Sequence, residues 1–275
     1  MPRNDLEHFA RLVDALRPFL DRLLIIGGWA CRLYRYRSEA SIPAYPPLFT
    51  EDADVAIPTG TTWSESLRDR LLRNGFAEEF LGEDHPPVTH YRLGEEASVF
   101  YAEFLTPLVG GRGQPGRTSQ DTTEIAGVVA QKLRYLDVLM IEPWRITLDD
   151  RALNHRADIR VPNAVCYIAQ KLLIHKQRAS KDRAKDVLYI HDTIELFGAS
   201  LDGLQELWLK TIRPRLTDRI VADVERVASE LCHEVTDAIR SAALEAVSTG
   251  RALNPEAIQV VCEEGLRRIF RDRVY

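Results

Sequence analysis

Residues 23–30 read Leu-Leu-Ile-Ile-Gly-Gly-Trp-Ala, and residues 50–58 read Thr-Glu-Asp-Ala-Asp-Val-Ala-Ile-Pro. The first stretch predicts a short buried strand that stops at a glycine turn and continues into a helix. The second stretch predicts a strand, because acidic and apolar residues alternate along it. Asp52 and Asp54 then project from one side of the strand, and Ala53, Val55 and Ile57 project from the other.

The rest of the N-terminal half mixes helix and strand signals. An apolar stripe at helical spacing predicts a helix from Leu6 to Leu16, and a second helix is expected through Leu67 and Leu71. Short strands are expected at Ala77–Leu81, Thr89–Leu93 and Ser98–Leu105, and a hairpin with strands at Leu136–Ile141 and Trp144–Leu148. This order predicts an α/β (α+β) domain over residues 1–160.

Beyond Pro162 the strand signals vanish, and helical periodicity continues to the end of the chain. The residues therefore predict an all-helical domain over 161–275. The expected helices span Asn163–Arg178, Lys181–Phe197, Leu201–Leu216, Asp218–Val247 and Pro255–Phe270.

Composition restricts the function classes. The chain has 275 residues and a net charge of −5, so no global basic field indicates a nucleic-acid binder. The four cysteines stand far apart without a Cys-x-x-Cys pair, which argues against a zinc site or a disulfide framework. The N-terminus lacks the apolar core of a signal peptide, and no apolar run approaches the roughly 20 residues that span a bilayer. A cytoplasmic protein without a membrane partner is expected.

Three features of the N-terminal half together indicate phosphate chemistry. Gly27 and Gly28 allow the backbone to approach an anion at the start of a helix. Asp52 and Asp54 repel each other unless a cation lies between them, and Mg²⁺ prefers such oxygen ligands. Glu103, on a later strand, supplies a third carboxylate for a second metal ion or for proton transfer. Taken singly, each feature also fits an ordinary turn, a solvated strand edge or a buried ion pair.

The order Gly-Gly, helix, Thr50-Glu-Asp52-Ala-Asp54-Val resembles the signature of the DNA polymerase β-like nucleotidyltransferase superfamily. Ile26-Gly-Gly-Trp-Ala30 is similar to aminoglycoside and lincosamide nucleotidyltransferases. Thr50–Asp54 and Glu103-Phe-Leu-Thr-Pro107 look more like bacterial nucleotidyltransferase-fold proteins related to the AbiEii and MenT toxin enzymes. The resemblance covers residues 20–110 well and residues 165–190 loosely.

The resemblance implies a nucleotidyltransferase domain with a mixed sheet, and a reaction. Gly27, Gly28, Trp29 and Thr50 would bind an NTP such as ATP. Asp52, Asp54 and Glu103 would form a two-metal Mg²⁺ site, and Glu103 would activate the acceptor hydroxyl or share the second ion. Trp29 stands where many members carry Ser or Thr, so its contact with phosphate would come from the backbone. Residues 38–49 form a proline-rich insertion that is either a lid or a tolerated surface loop.

The helical half adds candidate cations. Lys171, His175 and Arg178 are spaced to share one helix face, which is either solvated or directed at phosphate. The resemblance implies that Lys171 contacts phosphate and that Asp186 orients a basic residue or the acceptor. Arg178 and Asp186 complete the predicted nucleotide-binding set, although Asp182 and Asp186 also fit an ordinary solvated helix.

Three functions follow from these residues. The leading hypothesis is an active nucleotidyltransferase whose acceptor is RNA (tRNA included) or protein, as in toxin-type enzymes with a cognate antitoxin. The second is nucleotidylation of an antibiotic hydroxyl, which the Gly27–Ala30 match favours. The third is a catalytically silent module that binds a nucleotide or a partner, and three clustered carboxylates argue against it.

Overall fold

The computed structural model describes residues 5–81, 88–93, 100–108, 122–149 and 156–271. The chain divides into two compact units. The α/β unit consists of Met1–Ala30 and Phe49–Val161, and the helical unit consists of Cys31–Leu48 and Pro162–Tyr275. Residues 31–48, which the sequence analysis placed in the N-terminal domain, therefore cluster with the C-terminal helices.

Helices and strands alternate through the first part of the α/β unit, and strands make up the rest. In chain order these elements are α1 (Asp5–Leu16), β1 (Leu24–Ile25), α2 (Gly27–Leu33), β2 (Asp52–Ala56), α3 (Leu67–Arg73), β3 (Phe76–Leu81), β4 (Val88–Leu93), β5 (Tyr101–Pro107), β6 (Thr122–Ile125), β7 (Val128–Leu133), β8 (Trp144–Leu148) and β9 (Ala157–Val161). The last residues of α2 already belong to the helical unit. Ser98 and Val99, predicted at the start of a strand, lie outside the described residues.

Seven strands of the described chain form one mixed sheet, in the order β1-β2-β5-β4-β3. β7 pairs with β5 and β6 pairs with β7. β5 runs parallel to both β2 and β7, whereas its pairing with β4 is antiparallel. The predicted α/β fold with a mixed sheet is thereby confirmed.

One face of the sheet is covered by the core of the unit. The alternate residues Ala53, Val55, Ala102 and Phe104 are all at most 2% exposed. Their burial explains the period-two pattern along β2, because burying one face requires every second side chain to be apolar.

The predicted hairpin over residues 136–148 is wrong. Asp137–Met140 forms a 3-10 turn, and β8 pairs antiparallel with β9 instead. A tight hairpin joins β6 to β7, and Ala126 and Gly127 at its turn both have positive φ. Such a turn usually carries Asn-Gly or Asp-Gly, so Ala-Gly gave little signal in the sequence.

The helical unit confirms the predicted all-helical C-terminal half. Its helices are α4 (Ala164–Ile174), α5 (Ser180–Leu196), α6 (Leu201–Leu207), α7 (Asp218–Glu230), α8 (Asp237–Ser248) and α9 (Pro255–Phe270). The single helix expected over Asp218–Val247 is two helices, because the Thr236 hydroxyl caps the start of α8. The helix expected to reach Arg178 stops at Ile174 and continues as a 3-10 turn. Within the described residues, every helix is too short or too polar to span a membrane.

The proline-rich segment is fastened inside the helical unit by a buried arginine. The guanidinium of Arg251 lies 4.0 Å from the ring centroid of Tyr45 and forms a short ion pair with Asp192. The Tyr45 hydroxyl donates to the same carboxylate at 3.4 Å, and the Ser41 amide donates to the Leu196 carbonyl at 2.7 Å. Residues 41–45 are therefore bonded to α5 and to Arg251, so this part of the insertion is fixed within the helical unit.

Replacing Arg251 with methionine is expected to destabilise the protein by about 3–5 kcal/mol, because it leaves the buried Asp192 carboxylate without its main counter-charge. The measurement is urea denaturation followed by circular dichroism. Arg240→Met is the matched control, since the Arg240 side chain is 59% exposed in a surface ion pair, and should cost less than about 1 kcal/mol. Equal costs for the two variants would contradict the proposed fastening.

Candidate active site

The three predicted carboxylates lie on one face of the sheet. In the parallel pairing of β2 with β5, Asp52 is opposite Tyr101 and Asp54 is opposite Glu103. Directly paired residues project from the same side, so this face carries the acids while Val55 and its neighbours fill the core on the other side. Asp52, Asp54 and Glu103, which are separated along the sequence, thus lie on one surface of the structure.

The glycine turn lies directly against the second aspartate. Gly27 opens α2 with a φ of +60°, and a methyl group built on its Cα would overlap the Oδ2 atom of Asp54. The Ile26 amide donates to the Asp54 carbonyl at 2.9 Å, which fixes the turn beside the strand. Glycine is required here both by the left-handed backbone and by this close approach.

Trp29 follows the turn but its side chain belongs to the core. The indole is 1% exposed and stacks on Phe9 with ring centroids 3.9 Å apart. Phe100 meets the indole edge-on at 6.2 Å. Any contact of Trp29 with a nucleotide would accordingly come from its backbone.

Two of the carboxylates bond to polar neighbours. The Thr50 hydroxyl donates to Oδ1 of Asp52 in a short hydrogen bond. Nε2 of His90 lies 2.6 Å from Oε1 of Glu103. In these side-chain conformations, no three His, Cys, Asp or Glu residues of the described chain surround a common point at metal-binding distance. The donor set itself, carboxylate oxygens from two adjacent strands, is of the chemical type that Mg²⁺ prefers.

The pKa of the Tyr101 hydroxyl responds to the combined negative charge of this face. Burial raises the pKa of its hydroxyl, and nearby carboxylates raise it further. Those carboxylates, in decreasing order of effect, are Asp52, Glu103, Asp54 and Glu51. The Tyr101 hydroxyl therefore stays protonated at neutral pH and is surrounded by the same acids that form the candidate site.

A small pocket lies beside Glu103. It lies along the edge of β5 with which both β4 and β7 pair. Its volume is about 10 Å³, and its polar lining includes Thr89, Thr122, Gln131 and Glu103 itself. Pockets that enclose a whole ligand usually measure about 300–1,000 Å³. This one has room for about one water molecule.

The candidate residues of the helical unit form a buried ionic cluster. Nζ of Lys171 lies 2.7 Å from Oδ1 of Asp186, and the two side chains are 5% and 2% exposed. The Arg178 guanidinium reaches the other Asp186 oxygen at 3.4 Å and stays 42% exposed. Lys171 also lies about 5 Å from the rings of Tyr167 and Tyr189, which stabilise its charge. The alternative of a solvated helix is wrong for Asp186, and Arg178 joins this cluster from beyond the end of α4.

His90 is the site residue that the sequence analysis missed. It was placed on a predicted strand, but a lone histidine there gave no sign of a partner. Its contact with Glu103 depends on how β4 pairs with β5, which a single sequence does not specify. Only the acidic character of the opposite strand could have suggested such a pair.

Comparison with known families agrees with this geometry. A family described as nucleotidyltransferase matches residues 4–213, which is more than half of the chain. The chain belongs to this nucleotidyltransferase family. Transfer of a nucleotide is thus the activity of its family, and the acidic face and glycine turn both lie within the matched region. No curated protein matches the sequence.

The close approach of Gly27 to Asp54 makes Gly27→Ala a specific test of the turn. Gly60 has a similar φ of +75° but nothing within 4 Å of a built Cβ, so Gly60→Ala measures the backbone strain alone, about 1–2 kcal/mol. Gly27→Ala should cost clearly more in chemical denaturation, because it also displaces the Asp54 carboxylate. Equal costs would show that the turn does not press on Asp54.

Proposed function

We propose that this nucleotidyltransferase-family protein transfers a nucleoside monophosphate from an NTP to an acceptor hydroxyl in a Mg²⁺-dependent reaction. The observation that carries the proposal is the face formed by Asp52, Asp54 and Glu103, with the Gly27 turn packed against Asp54. Three carboxylates on adjacent strands are costly without a cation, and the glycine turn beside them begins a helix, whose N-terminus favours an anion such as phosphate.

The proposed reaction is an in-line displacement at the α-phosphorus. The acceptor oxygen forms a bond to the α-phosphorus as the bond to pyrophosphate breaks, and pyrophosphate leaves with the electron pair. Asp52 and Asp54 would hold the Mg²⁺, which supplies positive charge opposite the phosphates. Gly27, Gly28, the Trp29 backbone and Thr50 would border the nucleotide.

Two roles fit Glu103 in this scheme. As a base, it would take the proton from the acceptor hydroxyl. As a ligand, it would hold the second of two metal ions. Glu103→Gln separates the roles, because the amide keeps an oxygen ligand but takes up no proton. A variant that still binds two Mn²⁺ ions yet transfers no nucleotide favours the base.

The resemblance to AbiEii- and MenT-type toxin enzymes favours RNA, including tRNA, or protein as the acceptor, with a cognate antitoxin as partner. The similarity of Ile26–Ala30 to aminoglycoside and lincosamide nucleotidyltransferases supports a second candidate, an antibiotic hydroxyl. The two candidates use the same acidic face and differ only in what approaches Glu103.

The test is incubation of the purified protein with Mg²⁺, each α-labelled NTP in turn, and total bacterial RNA, protein or an aminoglycoside panel. Asp52→Asn and Asp54→Asn should each lower transfer by at least about 100-fold, since each removes a carboxylate that would hold the Mg²⁺ needed to neutralise the phosphate charge. Asp21→Asn, at an aspartate that is 62% exposed, is the matched control and should transfer normally. Absence of both transfer and NTP binding would favour a silent module that binds a partner.

We also propose that Lys171 and Arg178 bind the phosphates of the NTP, with Asp186 orienting them. The partial exposure of Arg178 supports this role. The resemblance to toxin-type enzymes assigns the same function to Lys171.

Lys171→Met should destabilise the protein by about 3–5 kcal/mol, because it leaves the buried Asp186 with Arg178 alone, whereas Lys171→Met with Asp186→Leu should regain most of that stability. The double variant is then the informative one for nucleotide binding. Loss of affinity for a fluorescent NTP in this stable variant supports the phosphate role. Unchanged affinity would show that the pair only stabilises the helical unit.

A further inference from the structure

His90 lies on the same face of the sheet as the three carboxylates, on the strand next to that of Glu103. β4 pairs antiparallel with β5, with Tyr91 opposite Ala102, and both of these residues are fully buried in the core. His90, the preceding residue, therefore projects from the acidic face, because successive side chains of a strand alternate between faces. Asp54, Glu103 and His90 form one row across β2, β5 and β4.

The contact between His90 and Glu103 is short and sheltered. Nε2 of His90 lies 2.6 Å from Oε1 of Glu103, and the two side chains are 14% and 21% exposed. Limited access of water strengthens such a hydrogen bond. The bond engages one carboxylate oxygen, and a carboxylate has a second oxygen that can bind a ligand.

The plane of the imidazole is fixed by a second contact. The ring of Tyr101 stacks on His90 with centroids 4.3 Å apart and planes inclined by 11°. Tyr101 is itself opposite Asp52 in the strand register. The stack therefore holds the edge of the His90 ring toward Glu103. Tyr101 thus lies next to His90 and also next to Asp52.

We propose that His90 is a positioning residue whose Nε2–H group holds the Glu103 carboxylate in place beside Asp54. This inference rests on the proposed function, and within it on the role of Glu103 as a ligand of the second metal ion. Carboxylates that bind metal ions are commonly oriented by such neighbours, and loss of the neighbour typically lowers metal affinity or activity about 10–100-fold.

The hydrogen bond is tested first in the metal-free protein by ¹⁵N NMR of the histidine side chains. The chain has seven histidines, and His90→Gln identifies the signal of interest. We expect a proton on Nε2 of His90 whose resonance shifts on Glu103→Ala. A resonance that does not respond to Glu103→Ala would overturn the contact and with it the positioning role.

The role is tested next with Mn²⁺ alone as the probe, by measuring free Mn²⁺ with electron paramagnetic resonance. His90→Ala should weaken Mn²⁺ binding about 10–100-fold. His90→Gln should restore most of the affinity, because the glutamine amide can donate from nearly the same place as Nε2. His233→Ala, at a histidine that is 81% exposed in the helical unit, serves as the control and should bind Mn²⁺ normally.

The outcomes separate this inference from the proposed function. Native-like Mn²⁺ affinity in a folded His90→Ala variant would overturn the positioning role alone, as would His90→Gln behaving like His90→Ala. A native protein that binds no Mn²⁺ would overturn the metal site and the positioning role together, even if the NMR experiment shows the hydrogen bond. Thermal unfolding of each variant identifies those that are folded.

Discussion

The parallel pairing of β2 with β5 is the constraint on which the candidate site depends. Its register places Asp54 beside Glu103, and like charges in adjacent positions oppose the pairing. The other face compensates, because Val55 and Phe104 are buried in the core. A slip of one residue would expose those apolar side chains and bury the carboxylates, so the hydrophobic face holds the acids in place.

The fold was predictable where one physical rule governed a stretch of chain. Alternation along residues 52–57 identified a strand with a polar and an apolar face, and helical spacing identified the C-terminal half. Prediction failed where the local sequence signals were weak, or where the structure depends on pairing between distant strands. Ala126-Gly127 forms the turn of a hairpin without the usual turn residues. β8 pairs with β9 and not with the residues just before it.

The candidate site was predictable to a similar extent, although the roles assigned to its residues remain predictions. The order of Gly27, Asp52, Asp54 and Glu103 indicated a shared surface, and the strand register brings these residues to it. The burial of Lys171 and Asp186 was not readable, because a lysine and an aspartate on separate helices fit a solvated surface equally well before the helices pack. His90 needed the pairing of β4 with β5, a relation between distant residues that one sequence does not encode locally.

The membership of residues 31–48 in the helical unit bears on how this protein can be divided. The chain leaves the α/β unit after Ala30, returns at Phe49 and leaves again after Val161, so the helical unit is discontinuous in sequence. A fragment ending near residue 161 would carry Tyr45 without Asp192 and Arg251, its partners in the intact chain. A single cut cannot therefore yield two self-contained pieces. Separate expression would need a linker from Ala30 to Phe49 in one piece and a linker from Leu48 to Pro162 in the other.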